Sequence, residues 1–460
     1  MTGLREIDVT GIVDTGRLGG FRVGIFGLLG ACLVMDGFDL QAMGYVAPAI
    51  VAEWGIPSAR MGTVFGAGLF GLFLGSIVSG VVADRIGRRP VLLAATLLFA
   101  SFTLATAFAS TMAQLRGVRF LAGLGLGAMM PNATALVGEY SPSRSRVATM
   151  MIVTNGFMVG AVLGGLVSAW LIPAHGWRSV FWIGGLVPLA LLAPMAAWLP
   201  ESLQFLALRG REPERLARWL RRIAPDAPAG PGVRYVAREE RREGNPLLHL
   251  FREGRATGTA LLWVVNFMNV LNAYFLSSWL PTVVRDAGHT TSAAVLAGTA
   301  VQVGGCLGTF VLGGVVQRLG FVPVLATCFA IGGASLALIG RTGAPLALLF
   351  PVAFLAGWGI FGGQPGVNAL AATLYPTDLR STGIGAGLGI GRLGAVLGPV
   401  LAGALMLRGW STEALFRAAA APALVATLAI IAMRGVLRRA GGGGRAQARA
   451  AAPPPCSPGT

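Results

Sequence analysis

Charge is scarce in this chain. Only 12% of its 460 residues are Asp, Glu, Lys or Arg, about half of what a soluble domain carries, which excludes an ordinary water-soluble globule. Lysine is absent altogether, and every basic residue is Arg. The three histidines, His175, His249 and His289, all fall between apolar runs, so no histidine proton relay can operate inside those runs. The four cysteines, Cys32, Cys306, Cys328 and Cys456, offer neither a disulfide framework nor a metal-ligand spacing. No nucleophile–base pair stands in the apolar runs either, which makes an enzyme the least expected reading. The amino terminus lacks the basic, apolar, small-residue order of a cleaved signal, so the first apolar run should be retained.

What the chain does have is length of hydrocarbon. It is 54% hydrophobic, with a mean hydropathy of +0.70. Runs of about 20 apolar residues, enough to cross about 30 Å of hydrocarbon, recur throughout. Membrane helices are expected at 21–48, 62–83, 90–111, 113–138, 148–173, 177–199, 256–281, 291–317, 321–341, 345–372, 379–407 and 411–434. This is an all-α polytopic membrane protein; a transmembrane β-barrel would show short alternating segments instead. The formal net charge of +17 suggests nucleic acid until the charges are placed. Most Arg residues then fall in loops on the side of the amino terminus, while Arg60, Arg116, Arg178, Arg285, Arg341, Arg408 and Arg417 lie at or near the other ends. Such a bias orients both termini to the cytoplasm. The partner of this charge is therefore the lipid bilayer, not nucleic acid.

The chain repeats itself. The stretch from Gly80 to Leu92 lies over that from Gly313 to Leu325 at an offset of 233 (318 minus 85), aligning Arg85 with Arg318 and Gly87 with Gly320. A second register, offset by 234 (376 minus 142), aligns Pro142 with Pro376 and GAVLG at 160–164 with GAVLG at 394–398. An even number of helices separates the copies, so the halves are parallel repeats of six helices. That arrangement places a substrate site between them near the midplane. The expected organisation is a cytoplasmic segment 1–20, a six-helix bundle 21–200, a linker 201–255, a second bundle 256–435 and a disordered tail 436–460. Within the linker, Leu216, Trp219, Leu220 and Ile223 recur at helical spacing among Arg. They mark an amphipathic helix, lying on the membrane surface or in solvent.

The chemistry lies in the few charges inside the spans. Asp36 and Asp39, three apart in the first span, share one face of a helix. An acid in hydrocarbon is a functional-site hypothesis by default, and the alternative is a pair that only packs against Arg119. Two neighbouring acids out of water make a proton-accepting group plausible near neutral pH, with Asp39, the outer of the two, the first candidate. Arg119 either balances Asp39 or touches substrate. Arg392, near the middle of the eleventh span, has no acid within one turn of its own helix. An anionic substrate suits it, since Arg forks onto a carboxylate; pairing with Asp36 or Asp39 is the other option. Asn266, Asn269, Asn272, Tyr274, Trp279 and Gln364 can bind a ring hydroxyl or stack an aromatic ligand, or can simply bond between helices. Trp279 also suits an interfacial aromatic belt. The glycine runs 123–127 and 385–391 sit inside spans, where they serve close helix packing and not nucleotide binding.

Gly80 followed by DRIGRRP (Asp84 to Pro90) resembles the signature loop of the major facilitator superfamily. MDGFDLQAMGYVAPAI (35–50), RFLAGLGLGAMMPNATALVGEYSP (119–142) and GGQPGVNALAATLYPTDLRSTGIGAGLGIGR (362–392) resemble its aromatic acid:H⁺ symporters. The resemblance covers about 7–434. It implies the facilitator fold and proton-coupled import of a small aromatic carboxylate of the 4-hydroxybenzoate or benzoate type. Also implied is a bacterial inner-membrane location; a monomer and no cofactor beyond the proton gradient are expected. Asp39 and Asp36 would couple the proton. Arg392, Arg119, Gln364, Asn272, Tyr274 and Asn269 would face substrate. Asp84, Arg85, Arg88, Arg89, Glu139 and Arg146 would form a cytoplasmic gate. One departure is visible: Gln317 stands where the second half should repeat Asp84. The competing expectations are another organic-anion transporter, a drug or metabolite exporter, and a membrane sensor of aromatic acids.

Overall fold

The computed structural model describes residues 5–16, 18–209, 213–224, 233–236, 246–252, 254–341, 345–376 and 379–450. A short strand, β1 (Arg5–Asp8), and a one-turn-plus helix, α1 (Val9–Thr15), precede the first membrane helix, α2 (Gly20–Trp54). Five more spans complete the first half: α3 (Met61–Ile86), α4 (Arg88–Thr106), α5 (Met112–Tyr140), α6 (Arg146–His175) and α7 (Arg178–Trp198). Between the halves stand α8 (Leu203–Arg209), α9 (Pro213–Ile223), β2 (Val233–Val236) and α10 (Pro246–His249). The second half is α11 (Ala256–Asp286), α12 (Thr291–Leu319), α13 (Phe321–Ile339), α14 (Leu346–Leu374), α15 (Arg380–Leu407) and α16 (Thr412–Ala450). Among the described residues twelve helices are long and apolar enough to cross a membrane, as the runs of hydrophobic residues require.

Some ends differ from expectation. Helix α2 continues to Trp54, stopping at Gly55 with its left-handed φ of 59°. Helix α16 runs on to Ala450, through four consecutive glycines at 441–444 that helix propensity does not favour. Residues 451–460 lie outside the described residues. The expected amphipathic helix is α9, and its apolar face packs on the protein. Leu216 and Leu220 are buried, and Trp219 stacks on Phe21 of α2 at 5.9 Å between ring centroids. Strands β1 and β2 pair in parallel, Ile7 opposite Tyr235, a contact across more than 200 residues that nothing local announces. Arg22 of α2, buried, donates to the carbonyls of Val13 (3.0 Å) and Gly16 (3.3 Å). It thereby satisfies carbonyls that α1 leaves open at its end.

Within each half, glycine lets helices interlock. A Cβ on Gly123 or Gly127 would lie 2.1 Å from the carbonyl oxygen of Gly68 or Leu72 on α3, so the 123–127 run serves packing as expected. In the other run Gly387 and Gly391 pack on α11, a Cβ on either lying 3.1 Å from Asn266 or Val270, whereas Gly385 and Gly389 meet no neighbour within 4 Å.

The segment before α2 and the stretch of α16 around Val436 lie at one end of the bundle, called here the termini end. At the far end the halves touch closely. A Cβ on Gly44 of α2 would fall 2.5 Å from the carbonyl oxygen of Ser277 on α11, and one on Gly62 of α3 would fall 3.0 Å from Gly403 of α15. Ser58 donates to Asp286 at 3.3 Å, and Ser292 to the carbonyl of Ala169 at 3.0 Å. Near the other ends of α3 and α15, Gly80 and Gly385 meet no neighbour within 4 Å. The cleft between the halves is thus shut on the far side and opens toward the termini.

Candidate functional site

The two acids of α2 turn out to have different company. Asp39 is fully buried, and both its oxygens are engaged: Arg119 Nη1 donates to Oδ1 (3.1 Å) and Nη2 to Oδ2 (3.0 Å). Thr103 of α4 adds a hydrogen bond to Oδ1 at 2.8 Å. Arg119 is itself buried, with its guanidinium 5.7 Å from the Phe181 ring. This is a closed ion pair inside the first half, bidentate and charge-neutral. Of the two expectations for Arg119, the geometry matches balance of Asp39. Thr103 was not foreseen, since a lone Thr in an apolar helix carries no signal.

Asp36 has no such partner. Its side chain is 3% exposed, and Oδ1 has no hydrogen-bond partner. Positions three apart on a helix differ by about 60° around its axis, which is enough to turn Asp39 into its own bundle and Asp36 toward the other half. The Asp36 charge interacts with that of Asp39 and, from the other half, with Arg392 of α15, which lies close enough to Tyr274 of α11 and to Asp36 to interact with both. Among the described residues Arg392 makes no hydrogen bond or ion pair, so an acid and a base confront each other across the cleft without closing on one another. Arg119 and Thr103 thus engage both oxygens of Asp39, the first proton candidate, while Asp36, the second, keeps an oxygen without a hydrogen-bond partner.

The amides of the second half form a chain beside this pair. Asn269 donates to Gln364 Oε1 (2.8 Å) and to the carbonyl of Ile360 (3.0 Å). Gln364 donates to Asn266 Oδ1 at 2.9 Å. Asn272 is different: it is buried, and neither end of its amide has a partner. The internal repeat explains why. At the offset of 233, Met35-Asp-Gly-Phe-Asp39 overlies Met268-Asn-Val-Leu-Asn272, so the two acids of the first half are two amides in the second. The positions matching Thr103 and Arg119 are Leu336 and Val352. Acid and counter-charge have been exchanged together, leaving the second half neutral and Asn272 without a donor or acceptor. Trp279, an interfacial-belt candidate, is instead 1% exposed, donates to the carbonyl of Pro399 (3.2 Å) and packs edge-on against Phe65 of the other half.

At the termini end, the expected gate residues make bonds within the first half and its flanking segments. Arg88 pairs with Glu139, and Glu139 accepts from the Ser202 hydroxyl. The gate set did not include Glu201, whose Oε1 accepts the backbone N–H groups of Arg88 (2.8 Å) and Arg89 (3.2 Å) at the start of α4. That end carries orphan donors and a partial positive charge, which a carboxylate satisfies. Arg89 donates to the carbonyl of Ala196, and the Arg85 carbonyl accepts from Arg209. Arg146 pairs at 2.9 Å with Asp14 of α1, an acid that sequence spacing gave no reason to choose. Asp84 is exposed and has no partner among the described residues. The ion pairs at this end are made by Glu139 and Asp14, with Arg88 and Arg146, while Glu201 takes backbone N–H groups.

Comparison with known proteins places this geometry in context. The family model described as Major Facilitator Superfamily matches residues 29–254 and 262–458. The chain is 39% identical to a gallate transporter of Pseudomonas putida over 428 residues, 93% of this chain and 95% of the relative. It is 37% identical to a 4-hydroxybenzoate transporter of the same species over 437 residues, 95% and 97% of the two chains. A benzoate transport protein of Acinetobacter baylyi is 32% identical over 87% of each chain. Among solved structures, a D-xylose–proton symporter superposes with a TM-score of 0.67 at 18% identity, covering 90% of this chain and 97% of its own. That likeness speaks for the fold alone.

Proposed function

This chain belongs to the Major Facilitator Superfamily, among its aromatic acid permeases, and from that premise we propose that it imports small aromatic carboxylates together with protons across a bacterial inner membrane. Its termini face the cytoplasm, it acts as a monomer and not as an enzyme, and the proton gradient is its only energy source. The positive-inside distribution of Arg supports that orientation, which makes the present arrangement inward-facing. The gallate, hydroxybenzoate and benzoate relatives support the substrate class. The observation that carries the reading is the unclosed pair of Asp36 and Arg392 on opposite halves, with Tyr274 beside them.

The arrangement couples two charges through one cleft. A substrate carboxylate forks onto Arg392, displacing its attraction to Asp36. Asp36, deprived of its cation and buried, then takes a proton. Tyr274 and the Asn269–Gln364 chain line the second half's side and meet the ring and its hydroxyls. A monoanion entering against an inside-negative potential costs about 2.3 kcal/mol per 100 mV, and one co-transported proton cancels that cost. The loaded carrier is then neutral across the moving parts, so the halves can rock about the cleft. The Arg88–Glu139 and Arg146–Asp14 pairs hold the first half rigid on the cytoplasmic side during that motion.

The test is uptake of labelled gallate and 4-hydroxybenzoate into proteoliposomes, with and without an imposed pH gradient. Accumulation above equilibrium that collapses with a protonophore is the expected result. Facilitated equilibration that ignores the gradient would refute coupling, and binding without uptake would point to a sensor.

A further inference from the structure

A groove of about 510 Å³ is cut into the outer surface of the first half at the termini end, between α2, α7 and α9. It lies outside the cleft and apart from every residue of the transport site. Along α2 it is lined by the small residues Gly20, Gly24, Gly27 and Ala31 with Phe21, Ile25 and Leu28 among them; Pro194 and Trp198 of α7 and Arg222 of α9 complete the lining. Gly20, Gly24 and Gly27 meet no neighbour within 4 Å, so nothing in the protein fills the depression. Trp198 is 67% exposed beside it.

The charge at the mouth says what belongs there. The Arg222 guanidinium rests against the rings of Trp219 (5.1 Å to the centroid) and Phe21 (5.4 Å), themselves stacked. Those rings hold it in place, yet among the described residues it makes no hydrogen bond or ion pair. A fixed guanidinium with its donors free, beside the first turn of α2, suits a phosphate. Exposed Arg218 and Arg221 on the same helix add to the local positive potential. The stretch from Gly20 to Ala31 rises about 16 Å at 1.5 Å per residue, close to one leaflet of a bilayer with a core of about 30 Å. A glycine-lined groove one leaflet deep, headed by a cation and flanked by an interfacial Trp, has the shape of one phospholipid.

We propose that this groove binds a single anionic phospholipid from the leaflet on the termini side, its phosphate on Arg222 and one acyl chain along Gly20, Gly24 and Gly27. The bound lipid fastens α9, and with it the linker between the halves, to the first bundle. A second copy of the chain is the less fitting occupant, because the row of small residues ends after one leaflet and Arg222 stands over its end.

Native mass spectrometry of the purified protein, titrated with phosphatidylglycerol or phosphatidylcholine of matched chains, tests this. The wild type is expected to retain one phosphatidylglycerol and to prefer it to phosphatidylcholine. Arg222→Gln is expected to bind phosphatidylglycerol about fivefold more weakly, and Arg222→Lys to recover most of that loss. Gly27→Leu, which fills the groove, is expected to abolish the retained lipid of either headgroup. Thermal unfolding in detergent checks that each variant is folded. Equal retention of both lipids, unchanged phosphatidylglycerol binding in Arg222→Gln or Gly27→Leu, or a dimer that Gly27→Leu splits would each overturn the proposal.

Discussion

Removing the charge of Asp39 while leaving Arg119 in place should unfold this protein more readily, even before transport is measured. The closest contact of the pair is 3.0 Å between atoms that are almost wholly buried. At an effective dielectric of about 20, opposite charges at that distance attract by roughly 5–6 kcal/mol. The desolvation of both groups offsets much of this in the intact pair, but in Asp39→Asn the cost of burying Arg119 remains without its return. Breaking a buried pair in this way costs about 3–5 kcal/mol. Replacing both partners by apolar residues, as in Asp39→Leu with Arg119→Met, should recover most of that loss, since paired replacement is often neutral or better. Unfolding in a mixed detergent followed by tryptophan fluorescence measures both quantities. Equal stability of Asp39→Asn and wild type, or a double variant no better than the single, would refute the claim that this pair is structural.

Three further outcomes follow from the geometry. Arg392→Gln should raise the apparent KM for carboxylates by about tenfold or more while changing that of the matching amides little, as expected when one charge-assisted bond of about 1.5–3 kcal/mol is lost; equal loss for both would remove Arg392 from substrate. Asn272→Leu should leave transport intact and stabilise the protein by about 1 kcal/mol, because a buried amide without partners costs about 1–3 kcal/mol; destabilisation in thermal unfolding would mean that the amide has found a partner in another state. Gly44→Val places side-chain atoms on the Ser277 carbonyl, where even a Cβ would lie at 2.5 Å, and should hold the far side open. Cysteines introduced on the far-side cleft face would then label faster than in wild type, and unchanged labelling would contradict the closure described here.

How much of this was legible beforehand depended on whether the cause was local. The twelve spans follow from hydropathy, since hydrocarbon rewards apolar runs and nothing distant competes. Asp36 and Asp39 were legible as a pair, because charge in a membrane helix is rare enough to stand out. Their division of labour was not: it depends on Thr103 and Arg119, which reach Asp39 only once α4 and α5 have packed on α2. The Asp14–Arg146 and Glu201–Arg88 contacts stayed hidden for the same reason, each joining segments more than 100 residues apart. The exchange of Asp36 and Asp39 for Asn269 and Asn272 was available in the repeat itself. It needed only the offset already seen at Arg85 and Arg318, carried back to the first helix of each half.

Gradient-driven uptake by Asp36→Asn, set beside counterflow in the same vesicles, tests the central claim most directly. If Asp36 carries the coupled proton opposite Arg392, the variant exchanges labelled for unlabelled substrate at near wild-type rate, independently of pH, yet accumulates none against its gradient. Accumulation at the wild-type level by Asp36→Asn would contradict the account.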